Sequence, residues 1–213
     1  MLRIGLTQRV EIVADRDERR DCLDQAWTAL LVSNGLLPIP LPNTVENVDM
    51  LVRELALDGV ILTGGNDLAH LPGGRSTAPE RDAFERKLLT YCSQQEMPVL
   101  GVCRGMQVMV DYYGGPLVTV SDHVATRHPI MVQSSRIASL GDREDVNSFH
   151  DFGIDEEMIR SPLCVVATAP DGCVEAVAHA TLPQWGIMWH PERLPCDARD
   201  GHLIRTLFAG GRT

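Results

Sequence analysis

Pro98-Val-Leu-Gly101-Val-Cys103-Arg-Gly105-Met-Gln107 passes from an apolar run of strand length, through a cysteine bracketed by two glycines, into a stretch of helical period. A buried strand that ends in Gly-x-Cys-x-Gly and turns at once into a helix has the form of a nucleophile elbow. The sharp turn presents the central side chain, and small flanking residues leave room for it. A cysteine held there faces the positive end of the helix dipole, which favours the thiolate. The backbone N–H of Arg104 is then free to bind an oxyanion. The competing reading is a buried structural cysteine at a strand end.

On either side of this segment, strand-length apolar runs alternate with helical patterns. Strands are predicted at 2–7, 36–41, 58–63, 97–102, 164–169, 173–179 and 185–190. Leu23, Trp27, Leu30 and Leu31 repeat at helical spacing, as do Val45, Val48, Leu51, Val52 and Leu55, with Thr44 as a candidate cap. Phe84, Leu88, Tyr91 and Cys92 mark a helix opened by Pro79, another starts directly after Cys103, and Leu203, Ile204, Leu207 and Phe208 mark a terminal one. The alternation predicts an α/β fold: a three-layer sandwich around a central, mostly parallel sheet, in a single domain over 1–213. The polar stretch 133–150 is expected to lie over the site. In such a sheet, chemistry collects at the carboxyl ends of the strands.

Composition narrows the function classes. The 213 residues carry a net charge of −10 with the acidic residues dispersed, which disfavours nucleic acid and membrane surfaces as partners. No apolar run approaches the ~20 residues of a membrane span. Met1–Thr7 reads as a strand rather than a signal peptide, so a cytoplasmic location is the default expectation. None of the six cysteines forms a C-x-x-C pair, and all but Cys103 read as small buried hydrophobes.

Two further strand ends are unusual. Trp185-Gly-Ile-Met-Trp-His190-Pro-Glu192 closes an apolar strand with His and Glu two residues apart, so both can share one face of an extended segment. The carboxylate can then orient the imidazole, and the imidazole can take the thiol proton. Taken alone, a surface His–Glu pair explains the motif better; beside a cysteine elbow the balance reverses. Gly59-Val-Ile-Leu-Thr-Gly64-Gly65-Asn66-Asp67 ends another strand in paired glycines. They let an amide approach a ligand closely, which suits the second half of an oxyanion hole, although a plain turn is the commoner meaning.

Gly-Gly-Asn-Asp, Gly-Val-Cys-Arg-Gly-Met-Gln and Trp-His-Pro-Glu, in that order, resemble the class I glutamine amidotransferase superfamily with its flavodoxin-like fold. Within it the chain is similar to the free-standing γ-glutamyl hydrolase branch (peptidase C26-like), which includes γ-glutamyl-γ-aminobutyrate hydrolases. Thr7-Gln8-Arg9, Gly64–Leu68, Asn147-Ser148-Phe149-His150 and Trp185–Arg193 are most similar to the γ-glutamyl-CDP-amidate hydrolases of capsular phosphoramidate synthesis. The resemblance implies Cys103, His190 and Glu192 as a catalytic triad and the amides of Gly65 and Arg104 as the oxyanion hole. It also implies Gln107 as a contact to the glutamate moiety. Asn147, Ser148, Phe149 and His150 would close over the glutamyl α-carboxylate and α-amine, with Ser148 foremost. Asn66 and Arg9 join them as substrate contacts. A thioester route is implied, with no metal and no organic cofactor.

Arg9, Arg20 and Arg104 are candidates to meet a diphosphate, with structural ion pairs as the alternative. Arg81-Asp82 either orders the loop near Asp67 or forms a helix-surface salt bridge. His123, His128 and His179 carry no assigned role. The expected partner is a small γ-glutamyl compound; a synthetase partner is not required, and a homodimer is compatible with the sequence. The alternatives are a glutaminase subunit feeding ammonia to a synthetase, a γ-glutamyl-γ-aminobutyrate hydrolase of polyamine catabolism, and a binding module without activity.

Overall fold

Gly59–Leu62 and Val99–Val102 are buried at every residue, a pattern that only strands covered on both faces can sustain. The computed structural model, which describes residues 1–141, 145–195 and 197–210, builds such a sheet. In chain order the elements are β1 (Leu2–Leu6), β2 (Arg9–Val13), β3 (Glu18–Cys22), α1 (Gln25–Ser33), β4 (Leu36–Pro40), α2 (Val48–Glu54) and β5 (Gly59–Leu62). There follow α3 (Pro79–Gln94), β6 (Val99–Val102), α4 (Arg104–Tyr112), β7 (Val118–Thr119), β8 (Val124–Pro129), β9 (Met131–Val132) and β10 (Asp145–Phe149). The chain ends with β11 (Phe152–Gly153), β12 (Leu163–Thr168), β13 (Val174–His179), β14 (Gln184–Ile187) and α5 (Ala198–Ala209).

The central sheet has eight strands in the order β4-β1-β5-β6-β14-β13-β12-β9. Its first five strands are parallel, and the last three join on antiparallel. Trp27, Leu30 and Leu31 of α1 pack with Leu203, Ile204, Leu207 and Phe208 of α5 in one core. Val52, Phe84, Leu88, Leu89 and Met109 from α2, α3 and α4 fill a second. Three layers result, as the alternating pattern predicts. One register positions the chemistry: Ile187 of β14 lies opposite Val102 of β6 in parallel, so the residues after both strands emerge side by side.

Several local expectations need correction. Residues 9–22, outside every predicted strand, form the β2–β3 hairpin, whose strands are mostly charged and exposed and bury only Val10. Thr44 does not cap α2; Asn47 does, its side chain accepting from the Met50 amide at 2.9 Å. Within 133–150, Ser135–Leu140 buries Ile137 and Leu140 in the α5 core instead of covering the site. Among the described residues of this stretch, the β10 end is the part that reaches the site. Asp142, Arg143, Glu144 and Cys196 lie outside the described residues.

Gly105 sets how closely α4 lies on β5. A Cβ there would sit 2.0 Å from the Leu62 carbonyl oxygen and 2.6 Å from its carbon. Backbone cannot yield as a side chain can, so Gly105→Ala should cost about 3 kcal/mol or more. Urea unfolding of the variant against the wild type checks this.

Candidate active site

Cys103 stands between β6 and α4 with φ 52° and ψ −109°, a left-handed setting rare outside glycine. Its amide donates to the Ile187 carbonyl at 2.8 Å, and its carbonyl accepts the first α4 hydrogen bond from Gln107 at 3.1 Å. The flanking glycines permit this turn. A Cβ at Gly101 would meet Gly105 backbone at 2.7 Å.

His190 follows β14 and lies beside Cys103, within hydrogen-bonding reach of it. Its Nδ1 is 2.7 Å from Glu192 Oε1, and both side chains are buried, at 5% and 4% exposure. The main chain of His190 is clamped by one side chain. Asn147 Oδ1 accepts from the His190 amide at 2.8 Å, and Asn147 Nδ2 donates to the His190 carbonyl at 2.9 Å. Phe149 stands edge-on to the imidazole, 5.8 Å between ring centroids, with the Arg193 guanidinium 3.7 Å from the Phe149 ring centre. Burial pushes the His190 pKa down, but the charge and hydrogen bond of Cys103 and those of Glu192 outweigh it and raise it to about 10. By contrast, burial pushes Cys92 and Cys173 up to about 12, as expected of inert thiols.

The glycine turn after β5 forms the facing wall. A Cβ on Gly64 would lie 2.7 Å from His190 Cε1 and 3.6 Å from Cys103 Cβ, so glycine here is what leaves space for the imidazole. Gly65 and Asn66 adopt positive φ, 84° and 60°. Buried Arg81 gathers the carbonyls behind this turn: Thr63 at 2.6 Å, Gly64 at 3.1 Å and Gly65. Because a trans peptide sets N–H opposite C=O, the Gly64 carbonyl on Arg81 turns the Gly65 amide away from Arg81. Arg81 also donates to Glu85 at 2.9 Å, and Glu85 accepts from Arg104. Burial pushes the Glu85 pKa up, yet Arg104 and Arg81 hold it below the ordinary carboxylate value.

A pocket of about 240 Å³ opens on this group, lined among others by Gly65, Cys103, Arg104, Gln107, Phe149 and His150. Gln107 is fixed in it by donating Nε2 to the Phe152 carbonyl at 2.8 Å. A larger hollow of about 470 Å³ lies between α2 and α3, but its lining, which includes Glu46, Lys87 and Tyr91, holds neither cysteine nor histidine.

Other sequence candidates fall differently. Ser148, expected to touch the substrate, is fully buried and donates to the His123 carbonyl at 2.8 Å. Asn147 grips His190 instead of a ligand. Asn66 lines the pocket, but its side chain is committed to the Val10 amide and carbonyl, at 2.8 and 2.9 Å, and to the Ser76 carbonyl at 2.7 Å. The Arg104 guanidinium is buried against Glu85 and Asp82 and cannot reach a phosphate. Arg20 pairs with Glu18 on the exposed hairpin. Arg9 does stand at the site, beside Gly65, His190 and Glu192, and is paired with Glu11 at 2.6 Å. Arg81 orders the turn at Thr63–Asn66, resolving one alternative in favour of loop ordering. The space that Gly64 leaves for the His190 ring and the Phe152 carbonyl that fixes Gln107 are placements that the sequence did not disclose.

Residues 4–192 match the peptidase C26 family. The chain belongs to that family. It is a hydrolase acting on C–N bonds. It is 30% identical over 193 residues to the γ-glutamyl-CDP-amidate hydrolase of Campylobacter jejuni, covering 89% of this chain and 90% of that one. To the γ-glutamyl-γ-aminobutyrate hydrolase of Escherichia coli O157:H7 it is 29% identical, covering 88% and 84%. A glutamine amidotransferase structure from Thermotoga maritima shares the fold, with a TM-score of 0.66 at 18% identity over 99% of this chain and 83% of that one.

Two outcomes are expected of this geometry. Gly64→Ala should displace the His190 ring and lower turnover by about 100-fold with the circular dichroism spectrum unchanged. The raised His190 pKa gives a stabilising contribution that is complete below about pH 6.5 and is lost as pH rises through about 10. Cys103→Ala removes the leading raising partner, so that loss should move to lower pH. Unfolding free energies of both proteins across this range test it.

Proposed function

We propose that this hydrolase cleaves a γ-glutamyl amide through a γ-glutamyl thioester, with Cys103 as nucleophile, His190 as acid and base, and Glu192 orienting the imidazole. The carrying observation is the convergence of these three side chains, in series, at two adjacent parallel strand ends. The Cys103 sulfur adds to the γ-carbonyl carbon, and the oxygen takes up negative charge. Collapse breaks the C–N bond as His190 gives its proton to the leaving nitrogen. A water then loses a proton to His190 and attacks the thioester, which releases glutamate and restores Cys103. The Gly65 and Arg104 amides are assigned to the oxyanion of both tetrahedral intermediates, where such donors are commonly the largest catalytic term. Gln107, with Nε2 already occupied, offers Oε1 to the glutamyl α-amine.

The leaving group we favour is a nucleotide amidate, as in γ-glutamyl-CDP-amidate, in surface-polysaccharide modification. The Campylobacter relative supports this, as do two arginines at the site: Arg75 at the rim of the 240 Å³ pocket and Arg9 beyond His190. We further propose that the protein acts alone in the cytoplasm. Among the described residues no helix is long and apolar enough to cross a membrane, and Cys22, Cys92, Cys103, Cys164 and Cys173 are free thiols.

The test is glutamate release from γ-glutamyl-CDP-amidate, γ-glutamyl-γ-aminobutyrate and glutamine, ranked by kcat/KM without any partner. The nucleotide amidate should lead by at least about tenfold. Glutamine as the best substrate, with turnover rising on addition of a synthetase, would point to a glutaminase subunit instead. Cys103→Ala should lose about 10⁴-fold or more in kcat. Turnover near wild type in that variant would overturn the nucleophile.

A further inference from the structure

His123, His128, His150 and Glu175 meet inside the protein behind the catalytic pocket, whose lining includes His150, although they come from three separate parts of the chain. His123 precedes β8, His128 lies on it, His150 follows β10, and Glu175 lies on β13. One donor atom from each lies within 4.8 Å of all the others. Glu175 Oε1 is 3.7 Å from His123 Nδ1, 3.5 Å from His128 Nε2 and 3.6 Å from His150 Nε2. Those separations are too long for good hydrogen bonds. Both Glu175 oxygens, His128 Nε2 and His150 Nε2 are buried without a hydrogen-bond partner, an arrangement that is costly if nothing occupies the centre.

The outer nitrogens explain why the inner ones point inward. His123 Nε2 is 2.8 Å from Asp171 Oδ2, His128 Nδ1 is 3.1 Å from the Pro129 carbonyl, and His150 Nδ1 is 3.0 Å from the Phe152 carbonyl. Each partner is an acceptor, so a neutral imidazole at each position carries its proton on the outer nitrogen and turns a lone pair inward. The Ser148 hydroxyl lies 3.3 Å from His123 Nδ1 but gives its proton to the His123 carbonyl at 2.8 Å. Three such lone pairs facing a carboxylate form a set that repels itself unless a cation lies between, and a metal ion at the centre meets all four donors at once. Ring orientation by an outer carboxylate or carbonyl is the usual support of histidine metal ligands. In a tetrahedral zinc site with bonds of about 2.0–2.1 Å, donor atoms stand about 3.3–3.4 Å apart, close to the three separations between Glu175 and the histidines.

We propose that His123, His128, His150 and Glu175 bind one divalent transition-metal ion of the zinc class, as a closed four-ligand structural site. The chemistry at Cys103 does not run through it. The ion would tie the β8–β10 hairpin, which forms a sheet of its own, to β13 of the central sheet. That hairpin supplies Asn147, which clamps His190, and Phe149, which flanks it. The site therefore braces the hairpin wall of the catalytic pocket against the central sheet.

The experiment is titration of the full-length, chelator-treated protein with Zn²⁺ and Co²⁺, read by bound-metal content and by the visible ligand-field spectrum of Co²⁺. The wild type and Cys103→Ser should each bind one ion with a four-coordinate spectrum, and Glu175→Gln and His128→Gln should lose it. Asp171→Asn changes an exposed outer partner, so it keeps the fold and should weaken affinity about 10- to 100-fold. Absence of a bound ion in the wild type would overturn the site. So would binding that Cys103→Ser abolishes, or that Glu175→Gln and Asp171→Asn leave unchanged.

Discussion

Cys103 can present its sulfur only because its backbone is held at φ 52°, a setting that costs a non-glycine residue about 1–3 kcal/mol. The rest of the structure keeps it there. β14 fixes the Cys103 amide through Ile187, α4 fixes its carbonyl through Gln107, and Gly101 and Gly105 let strand, turn and helix pack without a Cβ between them. The same parallel pairing of β6 and β14 that holds the turn also delivers His190 beside it. Nucleophile and base are therefore positioned by one register, and a slip in that register would lose both.

Behind the pocket, charge is arranged to fix backbone direction. Arg81 is fully buried and takes up the carbonyls of the glycine turn, while Glu85 balances it and Arg104 together. Desolvating these groups is costly, and replacing such clusters by apolar residues often stabilises a protein. The geometric return is a Gly65 amide turned away from Arg81. On the opposite wall, Asn147 performs a similar service for His190 with two hydrogen bonds to its main chain. Both walls use polar side chains to aim backbone.

The central strands were legible because they are apolar and short, and the helices because their faces repeat at helical spacing. The β2–β3 hairpin was not, since Val10 and Ile12 give β2 only a short apolar alternation and Glu18, Arg19 and Arg20 give β3 none, so pairing defines it. Cys103, His190 and Glu192 stand out because their chemistry sits at strand ends. Ser148 and Asn66 look like substrate contacts in sequence, but whether a polar side chain faces a ligand or its own backbone depends on neighbours distant in the chain. Glu175 did leave a trace: a carboxylate within Val-Glu-Ala-Val-Ala cannot be buried without a partner.

By itself the sequence determined the layer order, the elbow and the residue types for thiol hydrolysis, because these follow from periodicity and from local turn chemistry. Tertiary structure decided which strand lies beside β6, which arginine orders a loop and which is locked in a buried ion pair, and which histidines converge. Those outcomes depend on long-range pairing and on desolvation, and neither is encoded in any short stretch of the chain.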